Sequence, residues 1–508
     1  MSLARLNERI GTINDLLTTV NLLVWDSRTM MPPGGATARG RQIATLTRLA
    51  RDLTCDDEML HRLDAAEREV AVTGADETNR VAVAQVREAV EAHRRIPAEL
   101  VERRAMLQAR ATPAWIEARA NDDFAKFEPL LAETMTLVRA QADALGWREH
   151  PYDALLQVYE PGETLASLRV LFGTLREGLN PILAAALARP QPRNVLSGNF
   201  PATDQMALSK RLAAAVGYDF KRGRLDPTIH PFEISFTRED VRITTRFKPD
   251  YIGQSIFGTL HESGHGLYEQ NIDPAFTRTI FATDLVGLYA VGGTSYGAHE
   301  SQSRLFENHV GRSAAFWRNR YPDLIAAFPV FTDVPLPEFL SAISWVAPGF
   351  IRTDADEVTY DFHIMMRVEI EAALIGGDLK ARDVPEIWRQ RMRDNLGLEV
   401  PSDREGCLQD VHWSAGLVGS FCTYTVGNIM AAQLFDAART KAPDAVAALE
   451  KGDVGPLSSW LRDAIWRHGR RYRRDELLTM ATGRKLDPAP YLRHLTTRYA
   501  SSEAHRAA

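Results

Sequence analysis

Residues 250–270, DYIGQSIFGTLHESGHGLYEQ, constrain the fold more than any other stretch of this 508-residue chain. Ile252, Ile256, Phe257 and Leu260 recur at helical spacing ahead of two histidines, so the periodicity predicts a buried helix whose polar pair faces a cavity. On such a helix His261 and His265 lie one turn apart on one face, with Glu262 beside them. Two neutral imidazole nitrogens about 2 Å away can hold a divalent ion, and the neighbouring carboxylate can take a proton from water.

The rest of the chain reads as helix after helix. Leu165, Leu168, Leu171, Phe172, Leu175 and Leu179 recur at three and four, the mark of one buried stripe, with Thr164 as its candidate cap. DSRTMMPPGGATARG, 26–40, is expected to be a loop between two helices, because Pro32-Pro33-Gly34-Gly35 lets neither continue. The pattern changes only at 229–247. There Phe232, Ile234 and Phe236 alternate, Arg238-Glu239-Asp240 can turn, and Val241, Ile243 and Thr245 alternate again, which predicts a β-hairpin. A strand so close to the histidine helix can pair with an extended peptide through its main chain. From Leu457 a surface helix is expected, ending at a glycine stop, with Arg467–Arg474 as a solvated charged face.

Composition narrows the function. A net charge of −6 over this length gives no electrostatic case for nucleic acid or an anionic membrane. The N-terminal segment carries Glu8 and Asp15 where a signal peptide needs an unbroken apolar stretch, and no run of about 18 apolar residues follows, so a cytoplasmic protein is expected. Cys55, Cys407 and Cys422 are too few and too far apart for a disulfide framework or a Cys-rich zinc site. Histidine and carboxylate must therefore hold any metal.

A third ligand is needed. Tyr268 and Asn271 stand where a metzincin needs Gly and His, which removes that class. Glu269 lies eight residues beyond His261, about 12 Å along a helix axis, too far for one tetrahedral ion. The segment GAHESQSRLFEN, 297–308, puts Glu300, Arg304 and Glu307 on one helical face, with Glu300 the preferred ligand and Glu307 or His299 the alternatives.

Five motifs in order then resemble the carboxypeptidase Taq family of zinc metallocarboxypeptidases. They are Asp240–Thr244 (DxRxT), His261–His265 (HExxH), His299–Gln302 (HESQ), Ile351–Asp356 (IRxxAD) and Gly406–Trp413 (GxxQDxHW). LLVWDSRTMMPPGGA and YDALLQVYEPGET also look like family sequence, so the resemblance covers nearly the whole chain.

The resemblance implies a mainly α fold of the neurolysin and angiotensin-converting-enzyme type. Two interwoven helical lobes would form one catalytic domain, 1–508, around a deep groove, with a small β-sheet near the metal helix. It implies His261, His265 and Glu300 as ligands of Zn2+, with Co2+ also acceptable, and Glu262 as general base. His412 and Tyr424 are candidates to stabilise the oxyanion. Arg352 first, and Arg242 second, are candidates to bind the peptide's terminal carboxylate, since guanidinium does this best. The alternative for either is a structural pair with Asp354, Asp356 or Asp240. It further implies a homodimer that removes C-terminal residues with broad specificity, poorly before a terminal Pro. The rival readings are an oligoendopeptidase or dipeptidyl carboxypeptidase of related fold, and a non-catalytic binding protein with a vestigial metal site. One departure stands out: 35 residues separate His265 from Glu300, an apparent excess near 281–290 that is expected as a loop or extra turn at the cleft rim.

Overall fold

The structure, a computed structural model, describes residues 2–72 and 76–500. Twenty α-helices and one three-stranded sheet make up most of the regular structure of the described residues. The periodic stretch is the helix Leu165–Leu187: Leu165, Leu168, Phe172, Leu175 and Leu179 are buried along it. Thr164 caps it, its hydroxyl accepting from the Ser167 amide while Ser167 Oγ accepts from the Thr164 amide.

The proline-glycine break is shorter than its sequence suggests. The helix Ser2–Thr29 runs into it and the helix Ala36–Cys55 starts inside it, leaving a tight turn around Pro33–Gly35. Proline at the first position of a helical turn is compatible with helix, so the dipeptide stops one helix and starts the next within six residues.

The hairpin is present as β2 (Glu233–Thr237) and β3 (Asp240–Thr245), with Asp240 in the strand and not in the turn. It is joined by β1 (Gly223–Pro227), parallel to β3, so the order is β1-β3-β2. GRLDP is bounded by the two residues least suited to strands, which hid it from a pattern reading. The outer edge of β2 is partly covered, because Asn21 Nδ2 donates to the Ser235 carbonyl. That contact removes an acceptor a peptide strand would need.

The apolar core forms three main clusters. One joins residues of 100–186 to 346–432 and 491–499, and a second joins 195–343 to 430–481, so the chain passes between them more than once. The third unites the first helices with Ile280, Phe281, Leu285 and Ala290. The 281–290 segment is therefore packed into that cluster, with a short turn at Ile280–Ala282 and a bridge between Asp284 and Tyr289.

The expected surface helix from Leu457 is two helices, Gly455–Ala464 and Arg474–Thr482, separated by a turn at Gly469 with φ of 51°. The second ends at Gly483, in the left-handed conformation of a glycine stop. The arginine run is a solvated face only in part: Arg467 and Arg473 are exposed, while the others are half-buried or buried. Arg470, Arg471 and Arg473 pair with Asp284, Glu77 and Glu88, and Arg474 is buried against Glu160 and Glu163. Carboxylates from a distant segment draw Arg474 inward. Among the described residues no helix is long and apolar enough to cross a membrane.

Candidate metal centre

The HExxH stretch forms the helix Gly253–Gln270, buried along most of its length. The helix Tyr296–Arg304 crosses it, and the backbones approach so closely that a Cβ on Gly264 would stand 2.4 Å from the Gln302 carbonyl oxygen. On the other side lies the helix Cys422–Lys441, where a Cβ on Gly427 would stand 2.5 Å from Glu300 Cγ. Only glycine at both positions lets Glu300 sit between the two helices and face the histidines.

His261 Nε2 and His265 Nε2 lie 3.7 and 3.3 Å from Glu300 Oε2, and the ligand atoms of all three lie within 4.8 Å of one another. Donors about 2.0–2.1 Å from a tetrahedral ion stand about 3.4 Å apart. The set thus fits a divalent metal in spacing as well as in chemistry.

Each ligand is held from behind. Glu307 Oε2 takes the Nδ1 side of His261 at 2.9 Å. His265 Nδ1 meets His299 Nδ1 at 2.6 Å, and His299 Nε2 meets Glu269 Oε1 at 2.9 Å. If His299 donates to Glu269 and His265 donates to His299, both ligand histidines are left with a lone pair on Nε2. Arg304 Nε donates to Glu300 Oε1 at 2.7 Å, keeping the other oxygen for the histidines.

The electrostatics differ between the two histidines. Burial pulls His265 down to about 3, so it stays neutral. Burial also disfavours charge on His261, but the Glu300 and Glu307 carboxylates outweigh it and raise that histidine. Burial lifts Glu262 to about 7 against the pull of His261. Glu262 is buried yet hydrogen-bonds to no described residue, so its carboxylate is free to act on something that enters the site.

A wall of polar groups continues from Glu300. The Arg304 guanidinium lies 4.2 Å from the centre of the Tyr360 ring, Arg352 Nη1 donates to Tyr360 Oη at 2.9 Å, and Arg352 lies 5.0 Å from the Tyr424 ring centre. His412 Nε2 is 3.2 Å from Tyr424 Oη. Burial holds His412 down at about 4, hence neutral. Arg352 spends Nε and Nη2 on Asp410 Oδ1, at 3.0 and 2.8 Å, while Arg367 takes Asp410 Oδ2 at 2.7 Å. Gln409 accepts from the Arg352 amide, so the QD pair of one motif braces the IRxxAD segment.

Arg242 is not brought to this wall. It forms a paired salt bridge with Asp240 and lies over the rings of Trp25 and Phe236 at 4.3 and 4.6 Å. Glu307 and His299, the alternative ligands by spacing, instead brace the candidate ligands. Glu269, too far along its helix to be a ligand, stands one histidine removed from the cluster. Asp410 and Tyr360 join the wall without any local spacing that marks them, and their one signal in the sequence is a place within or just beyond the quoted motifs.

The model of the family described as carboxypeptidase Taq (M32) metallopeptidase matches residues 5–499. The chain belongs to the carboxypeptidase Taq family. Membership makes it a metallocarboxypeptidase, a peptide hydrolase, and implies a divalent metal. Thermostable carboxypeptidase 1 of Thermus thermophilus is 39% identical over 492 residues, 94% of each chain. Carboxypeptidase 1 of Bacillus subtilis is 36% identical over 485 residues, 95% of each. The M32 carboxypeptidase structure from Deinococcus radiodurans superposes with a TM-score of 0.92 at 38% identity, covering 98% of both chains. The chain shares its mainly helical fold with that carboxypeptidase Taq structure.

Proposed function

We propose that the chain is a zinc-dependent carboxypeptidase of the cytoplasm, acting as a homodimer and releasing C-terminal residues from peptides with broad side-chain tolerance. What supports this most is the convergence of His261, His265 and Glu300 on one point beside the unpartnered Glu262 carboxylate. His and carboxylate donors accept Zn2+ and Co2+ alike. A divalent ion held there supplies Lewis-acid polarisation of a carbonyl and acidifies water.

The chain's own groups do the rest. Glu262 takes the proton of the attacking water and returns it to the leaving amine. Tyr424 Oη and the neutral His412 imidazole can donate to the oxygen that gains charge at the scissile carbonyl. Arg352 keeps its Nη1 side, next to Tyr360 Oη, for the terminal carboxylate, while Asp410 fixes its other edge. Because that wall begins at Glu300, a peptide anchored by its terminus would present its last peptide bond near the metal ligands.

Glu262→Gln tests the reading: the variant should bind zinc as the wild type does and lose at least about 100-fold in turnover. A variant that keeps its turnover sinks the proposed mechanism. Substrates blocked as C-terminal amides should resist cleavage; their cleavage at an unchanged rate would favour an oligoendopeptidase.

A further inference from the structure

A second cavity, of about 400 Å3, opens where helices of the first 160 residues meet the 414–418 backbone and the 286–288 turn. None of the candidate metal ligands lines it. Most of its surface is aliphatic, including Leu107, Leu137 and Leu155, and its volume lies in the range that takes a small organic ligand. No aspartate or glutamate lines it, yet two guanidiniums do, those of Arg51 and Arg104.

Those guanidiniums are unusual in this chain. The buried Arg352, Arg367 and Arg474 each pair with a carboxylate. Among the described residues Arg104 instead has one hydrogen bond, from Nη2 to the Gly416 carbonyl at 3.3 Å, and Arg51 meets only the carbonyls of His93 and Ile96. Burial pulls the Arg104 guanidinium down, with only the Tyr159 hydroxyl opposing. Both residues are half-buried, and an entering anion supplies the counter-ion that a partly desolvated guanidinium lacks.

We infer that this cavity is a binding site for a small monoanionic amphiphile: a carboxylate that pairs with Arg104 and an unbranched apolar body that lies against Leu107, Leu137 and Leu155. An ammonium group finds no carboxylate here, so free amino acids and peptide N-termini are poor occupants. The site therefore differs in ligand class from one that takes peptides or their products, and it stands whatever the metal cluster does.

Calorimetric titration of the metal-loaded protein with octanoate, octan-1-ol and octylammonium tests it. Octanoate should bind saturably at one site, at least about tenfold more tightly than the alcohol, and the ammonium should not saturate. Arg104→Met should weaken octanoate at least about tenfold. Ala105→Trp, which fills the cavity from an exposed position and keeps both guanidiniums, should do the same. Both variants should retain the wild-type metal content. Octanoate binding undiminished in either folded variant belongs to the metal cluster and overturns the inference. So does equal binding of the alcohol, or a wild type that shows no saturable octanoate site.

Discussion

Glu307 offers the sharpest test of how this centre is built. Its Oε2 lies 2.9 Å from His261 Nδ1 and 3.3 Å from Arg304 Nη1, and its Oε1 lies 3.4 Å from Arg312 Nη2. The carboxylate thus fixes the His261 ring and its tautomer, so that the Nε2 lone pair points toward Glu300. Glu307→Ala removes the acceptor and frees the ring to turn. Losing such a partner typically weakens metal binding about 10- to 100-fold, or about 1.4–2.7 kcal/mol. Glu307→Gln keeps an acceptor oxygen for Nδ1–H and loses only charge, so its loss should be the smaller of the two.

Competition against a chelator of known affinity gives the apparent zinc Kd of each protein, and turnover at saturating zinc shows whether chemistry survives once the site is filled. The expected order is wild type, then Gln, then Ala, with turnover at saturation within a few-fold throughout. An Ala variant that holds zinc within twofold of the wild type refutes this account of the His261 side. Full zinc binding with lost turnover refutes it too, because Glu307 would then act on the reaction and not on the ligand.

Two further predictions concern buried charge. Arg474 donates to Glu160 and Glu163 at 3.1 and 2.6 Å, and Glu160 also accepts from the Gly297 amide at the start of the Glu300 helix. Arg474→Met strands a fully buried carboxylate and should destabilise the protein by about 3–5 kcal/mol, read as a lower urea midpoint; an unchanged midpoint contradicts the pairing. Glu371, fully buried on the helix Tyr360–Gly376, is lifted by burial from 4.5 to about 7 despite hydrogen bonds from Tyr152, Gly419 and Trp413. Its folded-state value lies above its unfolded one, so the folded state holds the proton longer and stability falls as pH rises from about 4.5 to about 7, then levels off. The advantage of wild type over Glu371→Gln should shrink by up to about 3 kcal/mol between pH 4.5 and 7.5, and an advantage that does not change with pH disproves the shift.

The parts of this fold that could be read from sequence are those decided within one or two helical turns. The His261–His265 pair, the Thr164 cap and the alternation of Ile234 with Val241 and Ile243 all depend on near neighbours, and each stands in the structure as its spacing predicts. Glu300 needed more: its place between two helices follows from Gly264 and Gly427, glycines whose purpose no local pattern announces. The arginines show the limit most plainly. Arg242 takes Asp240, two residues away and among the partners considered, whereas Arg352 takes Asp410, 58 residues away, and not Asp354 or Asp356 beside it. Asp356 is already spent on the amides of Ala347, Val358 and Thr359, where it caps the turn that leads into the next helix. A carboxylate with backbone donors at hand satisfies the nearby chain first, which leaves the buried guanidinium to be matched by whichever acid the tertiary fold delivers. The same reasoning explains Arg470, Arg471, Arg473 and Arg474, whose partners come from Asp284, Glu77, Glu88 and Glu160. Charge in this sequence is therefore a poor guide to surface. Where several arginines stand together, the burial of the acids that reach them, and not their own density, decides whether they face water: Arg474 follows the buried Glu160 inward, whereas Arg473 stays exposed beside the exposed Glu88.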